Sequence, residues 1–229
     1  MQLLGPVMKS SSNPFSFKGA EGTVVDNDGA AQDMNVPAVT IVSGDLLVAG
    51  MFFRPGAITG WTLIDDVNLS VYTRVASGVP SEDAFPWPQA PATGIGNTGI
   101  YGVFGTQGSS NFIATTHIQQ FGLNQYVVPE LSENVGVVDT LVVSCGYKAQ
   151  QTFDNTATPI FQSVSDGWSI CHEFFLDSNY WPDFGYSFYA MCFAVESVAD
   201  ARVRAGYVYD PWQGGNTSVS EGTSMRFEE

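Results

Sequence analysis

The sequence predicts an all-β protein, an antiparallel β-sandwich of jelly-roll-like type with long loops and an extended N-terminal arm. Three observations carry that expectation. Short apolar runs rich in β-branched and aromatic residues recur along the 229-residue chain, each bounded by Gly, Pro, Asn, Asp or Ser. Helical periodicity with capping residues is almost absent. Hydrophobic residues make up 44% of the chain, with 16 Phe, 9 Tyr and 5 Trp, enough to fill a core between two layers.

Residues 1–20 are rich in Ser, Pro and Gly and show no sustained period. They read as an extended arm that becomes ordered by lying on something, with Leu3, Leu4, Phe15 and Phe17 as its contact residues. Residues 21–229 read as a single sandwich domain. Within it, residues 45–53 are too short for a helix and stop at Arg54-Pro55-Gly56, so they read as a strand buried on both faces. "GWTLIDD" followed by "NLSVYTRVA" predicts a hairpin turning near residues 66–68. The four prolines within residues 80–91 exclude a helix interior or a central strand there. Further strands are expected at 100–104, 140–147, 168–176, 186–195, 203–209 and 223–227. Residues 118–123 are the one place where a helical turn is expected. "DLLVAGMFF" at Asp45 and "DTLVVSCGY" at Asp139 echo each other, as two central strands placed alike, one per half, would. The match is too short to establish a duplication.

Charge narrows the function. Eight Lys plus Arg stand against 23 Asp plus Glu, a formal net charge of −15. Such a chain repels phosphate backbones, and no basic cluster offsets it, which argues against nucleic acid and acidic membranes as partners. No apolar run approaches the ~18 to 20 residues that span a bilayer, and the first residues lack the pattern of a secretory signal. The three cysteines, Cys145, Cys171 and Cys192, sit apart in strand-like runs and read as small buried hydrophobes of a reducing cytoplasm.

No motif makes a catalytic or metal site. Gly94-Ile95-Gly96-Asn97-Thr98-Gly99 has the letters of a dinucleotide fingerprint, but a Pro-rich loop precedes it and a strand follows, where the chemistry needs a helix N-terminus. "DNDGAAQDMN" lacks the first and last ligands of a calcium loop. "GWSIC" puts Cys171 where a nucleophile elbow needs Gly. The two histidines are His117 and His172, and His172-Glu173 point to opposite faces of a strand. Asp65-Asp66 meet the same objection, and nothing fixes a working separation for Asp177 and Asp183. No enzyme, cofactor or metal is expected. What remains is aromatic: Phe85, Trp87, Tyr180, Trp181, Phe184, Tyr186, Tyr209 and Trp212 lie in or beside turn-rich stretches. They read as end caps of the core, as protein-interface anchors or as a glycan-stacking platform.

Residues 43–48 ("SGDLLV"), 60–64 ("GWTLI"), 72–76 ("YTRVA") and 140–144 ("TLVVS") together resemble a β-sandwich module of tailed-bacteriophage structural proteins, over roughly residues 36–147. The resemblance implies a non-enzymatic virion protein and carries over no catalytic residue. It leaves two positions open: a capsid decoration (cement) protein on the head exterior, or a tail-associated receptor- or carbohydrate-binding protein that touches a host-surface glycan. The lack of a collagen-like or coiled-coil shaft and the presence of an N-terminal arm point to the head. The expected partners are the major capsid protein or other virion proteins, and a homo-oligomer, a trimer first. The expected location is the virion, capsid exterior before tail, after synthesis in the bacterial host cytoplasm.

Overall fold

The computed structural model describes residues 14–25, 32–51, 56–66, 69–87, 97–108, 110–121, 125–131, 140–150, 162–163, 169–176, 186–196, 204–209 and 218–228. The first half of the chain forms β1 (Ser16–Val25), β2 (Gln32–Asp33), β3 (Leu46–Met51), β4 (Thr62–Asp66) and β5 (Ser70–Val75). A one-turn helix α1 (Pro80–Asp83), β6 (Pro86–Trp87) and β7 (Asn97–Gly105) complete it. The second half forms β8 (Asn111–Phe121), β9 (Gln125–Leu131), β10 (Thr140–Gln150) and β11 (Gln162–Ser163). It ends with β12 (Ser169–Leu176), β13 (Tyr186–Glu196), β14 (Arg204–Tyr209) and β15 (Ser218–Glu228).

Two five-stranded antiparallel sheets, ordered β1-β7-β3-β5-β4 and β12-β13-β10-β15-β8, pack face to face. The protein is therefore an all-β sandwich. What it shares with a jelly roll is this pair of facing antiparallel layers; its strand order is its own, and the chain passes from one large sheet to the other between β7 and β8. Strand β1 lies over β12, β7 over β13, β3 over β10 and β4 over β8. The inner core holds Leu46, Val48, Val71, Phe104, Leu141, Val143, Met191 and Phe227. A second core covers the outer face of the first sheet, where Leu47, Ala49, Met51, Tyr72, Tyr101 and Val103 meet Met34, Trp61 and Phe85. Burial on both faces explains why β3 reads as an unbroken apolar run.

The second cover is pinned by aromatic side chains that bury their rings and spend their polar tips on loop carbonyls. Tyr72 Oη donates to the Gly56 carbonyl at 2.7 Å, Tyr101 Oη to that of Asp83 at 2.7 Å, and Trp61 Nε1 to that of Ala84 at 3.3 Å. Asp83 organises the same loop, accepting from the Ser77 and Gly78 amides at 2.8 Å each, with Arg74 at 3.7 Å. Gly78, at φ 82°, turns there with no room for a side chain: an added Cβ would meet Ser43 N at 2.9 Å.

The two halves repeat one fold. In each, five strands taken in chain order form a sheet with spatial order 1-5-2-4-3. In each, a short strand between the first and second (β2, β9) pairs antiparallel with one between the fourth and fifth (β6, β14). Register makes the correspondence residue by residue. Phe17 pairs with Phe104, which pairs with Leu46; Phe112 pairs with Phe227, which pairs with Leu141. A bulge follows each first-strand Phe, at Lys18 and at Ile113. A second bulge interrupts each third strand, at Ile64 and at Cys171. Bulges are specific structural devices, and two of them at matched positions mark a true structural repeat. The halves are related by a pseudo-two-fold axis passing between Gly50 and Cys145, equivalent positions on β3 and β10: a Cβ on Gly50 would lie 3.0 Å from Cys145 Cβ and Sγ.

Three expectations need correction. Residues 16–20 belong to β1, because their amides and carbonyls find a partner strand within the domain, so the arm is shorter than residues 1–20. Residues 118–121 are the end of β8, not a helical turn; pairing with β15 overrides a polar sequence with weak strand character. The Pro-rich stretch does hold one helical turn, with Pro80 in its first turn, where a missing N–H costs nothing.

Candidate functional site

The densest polar constellation lies on the seam between β4 and β8. The third-strand bulge at Ile64 turns Asp65 toward the opposite sheet, where β8 offers His117 and β15 offers Thr223 and Glu221. Asp65 Oδ2 lies 2.8 Å from His117 Nδ1 and accepts from Thr223 Oγ1 at 2.5 Å; His117 Nδ1 is also 3.0 Å from Thr223 Oγ1. Since the Thr223 proton goes to Asp65, the shared contact is an Nδ1–H donated to both oxygens. His117 Nε2 faces Glu221 Oε1 at 3.4 Å. Glu221 is fully buried and accepts from the Leu69 amide at 3.1 Å, Tyr147 Oη at 3.1 Å and Gln119 Nε2 at 3.2 Å. Burial first, then the facing Glu221, pushes the Tyr147 hydroxyl up far beyond its ordinary range, so it stays a donor.

This arrangement is a lock, not a catalytic triad. A nucleophile would need its proton aimed at a histidine nitrogen, but the Thr223 proton is aimed at a carboxyl oxygen. The bonds from Asp65 to His117 and Thr223 and from the Leu69 amide to Glu221 tie the two sheets together, while His117 Nε2 is buried beside Glu221 without a hydrogen bond. Residue-by-residue reading missed the cluster because its members come from four strands, and only the bulge brings Asp65 to His117. Among the described residues no group of three or more His, Cys, Asp or Glu side chains is placed to hold a metal ion. All three cysteines are free thiols.

The aromatic candidates separate. Phe85 is fully buried, its ring 4.9 Å from Trp61 and 5.2 Å from Tyr72, so it offers no surface to a partner. The loop after β5 folds back over the first sheet and Phe85 plugs it. Phe15 likewise sits in the inner core, and Phe17 stacks on Phe193 at 5.0 Å, so these two arm candidates contact their own domain. Trp87, Tyr186 and Tyr209 are placed by their backbones on β6, β13 and β14, in strands rather than loops. Leu3, Leu4, Tyr180, Trp181, Phe184 and Trp212 lie outside the described residues, as do Asp177, Asp183 and residues 26–31 of the calcium-loop-like stretch 26–35. Asn97, Thr98 and Gly99 of the glycine-rich stretch open β7.

One end of the sandwich stands out instead. Among the described residues seven large apolar side chains are exposed, and five of them, Val42, Val75, Val79, Phe112 and Ile113, belong to the end where β3 and β10 begin. Phe15 and Ser16, where the first thirteen residues join the sandwich, are at the same end, since Ser16 pairs with Gly105. The basic side chains there are neutralised: Lys18 by Asp45 at 2.6 Å, Arg226 by Glu228 at 2.8 Å, Arg74 by Asp83. A mostly apolar cavity of about 320 Å³ opens beside it, lined by Val36, Val39, Thr40, Ile41, Pro80 and Asp83. Asp83 is already bonded within its own loop, which leaves Thr40 as the one other polar side chain of the lining. An apolar end with internally paired charges is the anatomy of a protein-contact surface. No protein-family model, curated protein or solved structure matches the chain.

Proposed function

We propose that this chain is a non-enzymatic structural protein of a tailed-phage virion, a decoration protein that binds the exterior of the head. The observation that carries the reading is the end that gathers five of the seven exposed large apolar side chains among the described residues, next to which the N-terminal segment joins the sandwich. A partner seated there meets the exposed Val42, Val75 and Val79 beside the start of β1, an apolar contact of the kind an adhesive protein needs. The polar seam cluster supports the same reading, because Asp65, Thr223 and Glu221 are bonded in joining the sheets. A net charge of −15 suits an outer surface held away from packaged nucleic acid.

The test is co-sedimentation of the purified chain with emptied, expanded heads. Saturable binding is expected, and Val42→Asp with Val79→Asp should weaken it at least about tenfold without lowering the melting temperature, since both side chains are exposed. Binding to isolated tails or to a glycan array, with none to heads, would move the protein to the tail. Turnover of any substrate by the purified chain would end the non-enzymatic reading.

A further inference from the structure

The repeat supplies an internal control for reading the sheet edges. A strand at a sheet edge invites another strand to pair, and proteins that must stay single blunt such edges with charge or cover. The two large sheets have four edge strands, β1, β4, β12 and β8. β1 carries Lys18 and Glu21 and is shielded by the loop at Pro37–Val39, which closes on Gly19 at 2.8 Å from where its Cβ would be. β4 carries Asp66, its Asp65 being turned inward to His117, and β12 carries His172 and Glu173. β8, eleven residues long, contains no Lys, Arg, Asp or Glu, and its one histidine is turned inward to Asp65.

The contrast sharpens at equivalent positions. The bulge residue of the first unit is Lys18, paired with Asp45; in the second unit the same two positions are Ile113 and Thr140. Phe17 is roofed by Phe193; the position equivalent to Phe193 in the first sheet is Thr73, which supplies no ring, and Phe112 is left 43% exposed. Ile113 beside it is also 43% exposed. Two edges of one design have thus diverged, one carrying an ion pair, the other free of charged residues and tipped with two exposed apolar side chains.

We propose that β8 is a docking edge for a second copy of this chain, two β8 strands pairing antiparallel about a two-fold axis to make one continuous sheet. The occupant follows from the edges themselves. The other three edges bring charges to the pairing strand, so the surface that matches β8 is another β8, an isologous contact. A neutral strand also lets two chains of net charge −15 meet without opposing carboxylates along the seam. This inference does not depend on the virion reading.

The test is sedimentation velocity of the full chain over about two decades of micromolar concentration, with hydrogen exchange on the β8 amides. A monomer–dimer equilibrium is expected, with β8 amides slowing as the dimer fills. Ile113→Lys, which installs the residue type the first unit uses at the same bulge, should raise the dissociation constant at least about tenfold. Thr115→Glu, at another exposed β8 position, should do the same and covers the case in which the first variant fails to fold. A chain that stays monomeric throughout overturns the proposal, and β8 amides protected only on adding heads would assign the edge to a foreign strand. A dimer indifferent to both variants, or a trimer, overturns it as well, because an isologous strand pair closes at two.

Discussion

Glu221 has no exposed surface, yet its carboxyl group gathers three donors: the Leu69 amide, Gln119 and Tyr147. Glu221→Ala would strand them inside the seam, and the loss of buried hydrogen bonds should cost about 2–4 kcal/mol in urea unfolding. Glu221→Gln should cost less, because it keeps one acceptor while turning an amide N–H₂ toward existing donors. A Glu221→Ala protein within about 0.5 kcal/mol of wild type would show that the seam is not a lock. The buried acids with high thresholds give a pH dependence of defined sign. Burial pushes the Cys192 thiol from 9.0 up to about 12 and the Tyr72 hydroxyl from 10.0 up to about 12. Between those values the unfolded chain has released protons that the folded chain still holds. Stability is therefore whole below about pH 9, falls as pH climbs, and has lost this contribution by about pH 12. The melting temperature should drop between about pH 9 and 12.

At the scale of strands, close approach of the two sheets rests on small residues at the pseudo-two-fold axis. A methyl group on Gly50 would press on Cys145 Cβ, which cannot swing aside, so Gly50→Ala should destabilise by about 1–3 kcal/mol. Gly102→Ala should cost less, since its nearest obstacle is the flexible thioether of Met191. Because residues 50 and 145 are equivalent and face each other, Gly50→Ala with Cys145→Gly should recover most of the loss, a coupling a double-mutant cycle measures directly. Sequence reading found these strands but slipped their correspondence. The letters align Asp45 with Asp139, whereas register aligns Leu46 with Leu141. That single-residue offset exchanges core face for outer face, which is why the echo by itself could not be extended. β3, β5, β7, β10, β12, β13 and β14 were legible because apolar residues dominate them. β8 and β9 were not: Thr, Gln, Asn and a mid-strand Pro129 carry no alternation, and those strands exist because partners complete them.

At the scale of the whole molecule, the sandwich is two copies of one unit that neither could stabilise alone, each sheet being the lid on the other's apolar face. The repeat was hidden in the sequence because loops lengthen in the second unit and equivalent positions changed chemistry, Asp65 to His172 and His117 to Gly22 among them. That divergence placed the polar lock on one seam and the aromatic Phe17–Phe193 stack on the other. The pseudo-symmetry makes a demand on chain connectivity that an ordinary sandwich does not. Gly105 and Asn111, bridged by five residues, occupy positions equivalent to Glu228 and Ser16, respectively, in the other order of the units. The gap from Glu228 to Ser16 should therefore also be closed by about five residues, a reach of at most ~20 Å. A circular permutant that starts at Asn111 and joins Glu228 to Ser16 through five residues, the last of them Phe15, should fold with a β-rich circular-dichroism spectrum and cooperative unfolding. If the permutant is soluble only with a much longer linker, the two units are not related by the axis through Gly50 and Cys145, and the equivalences drawn from it fail together.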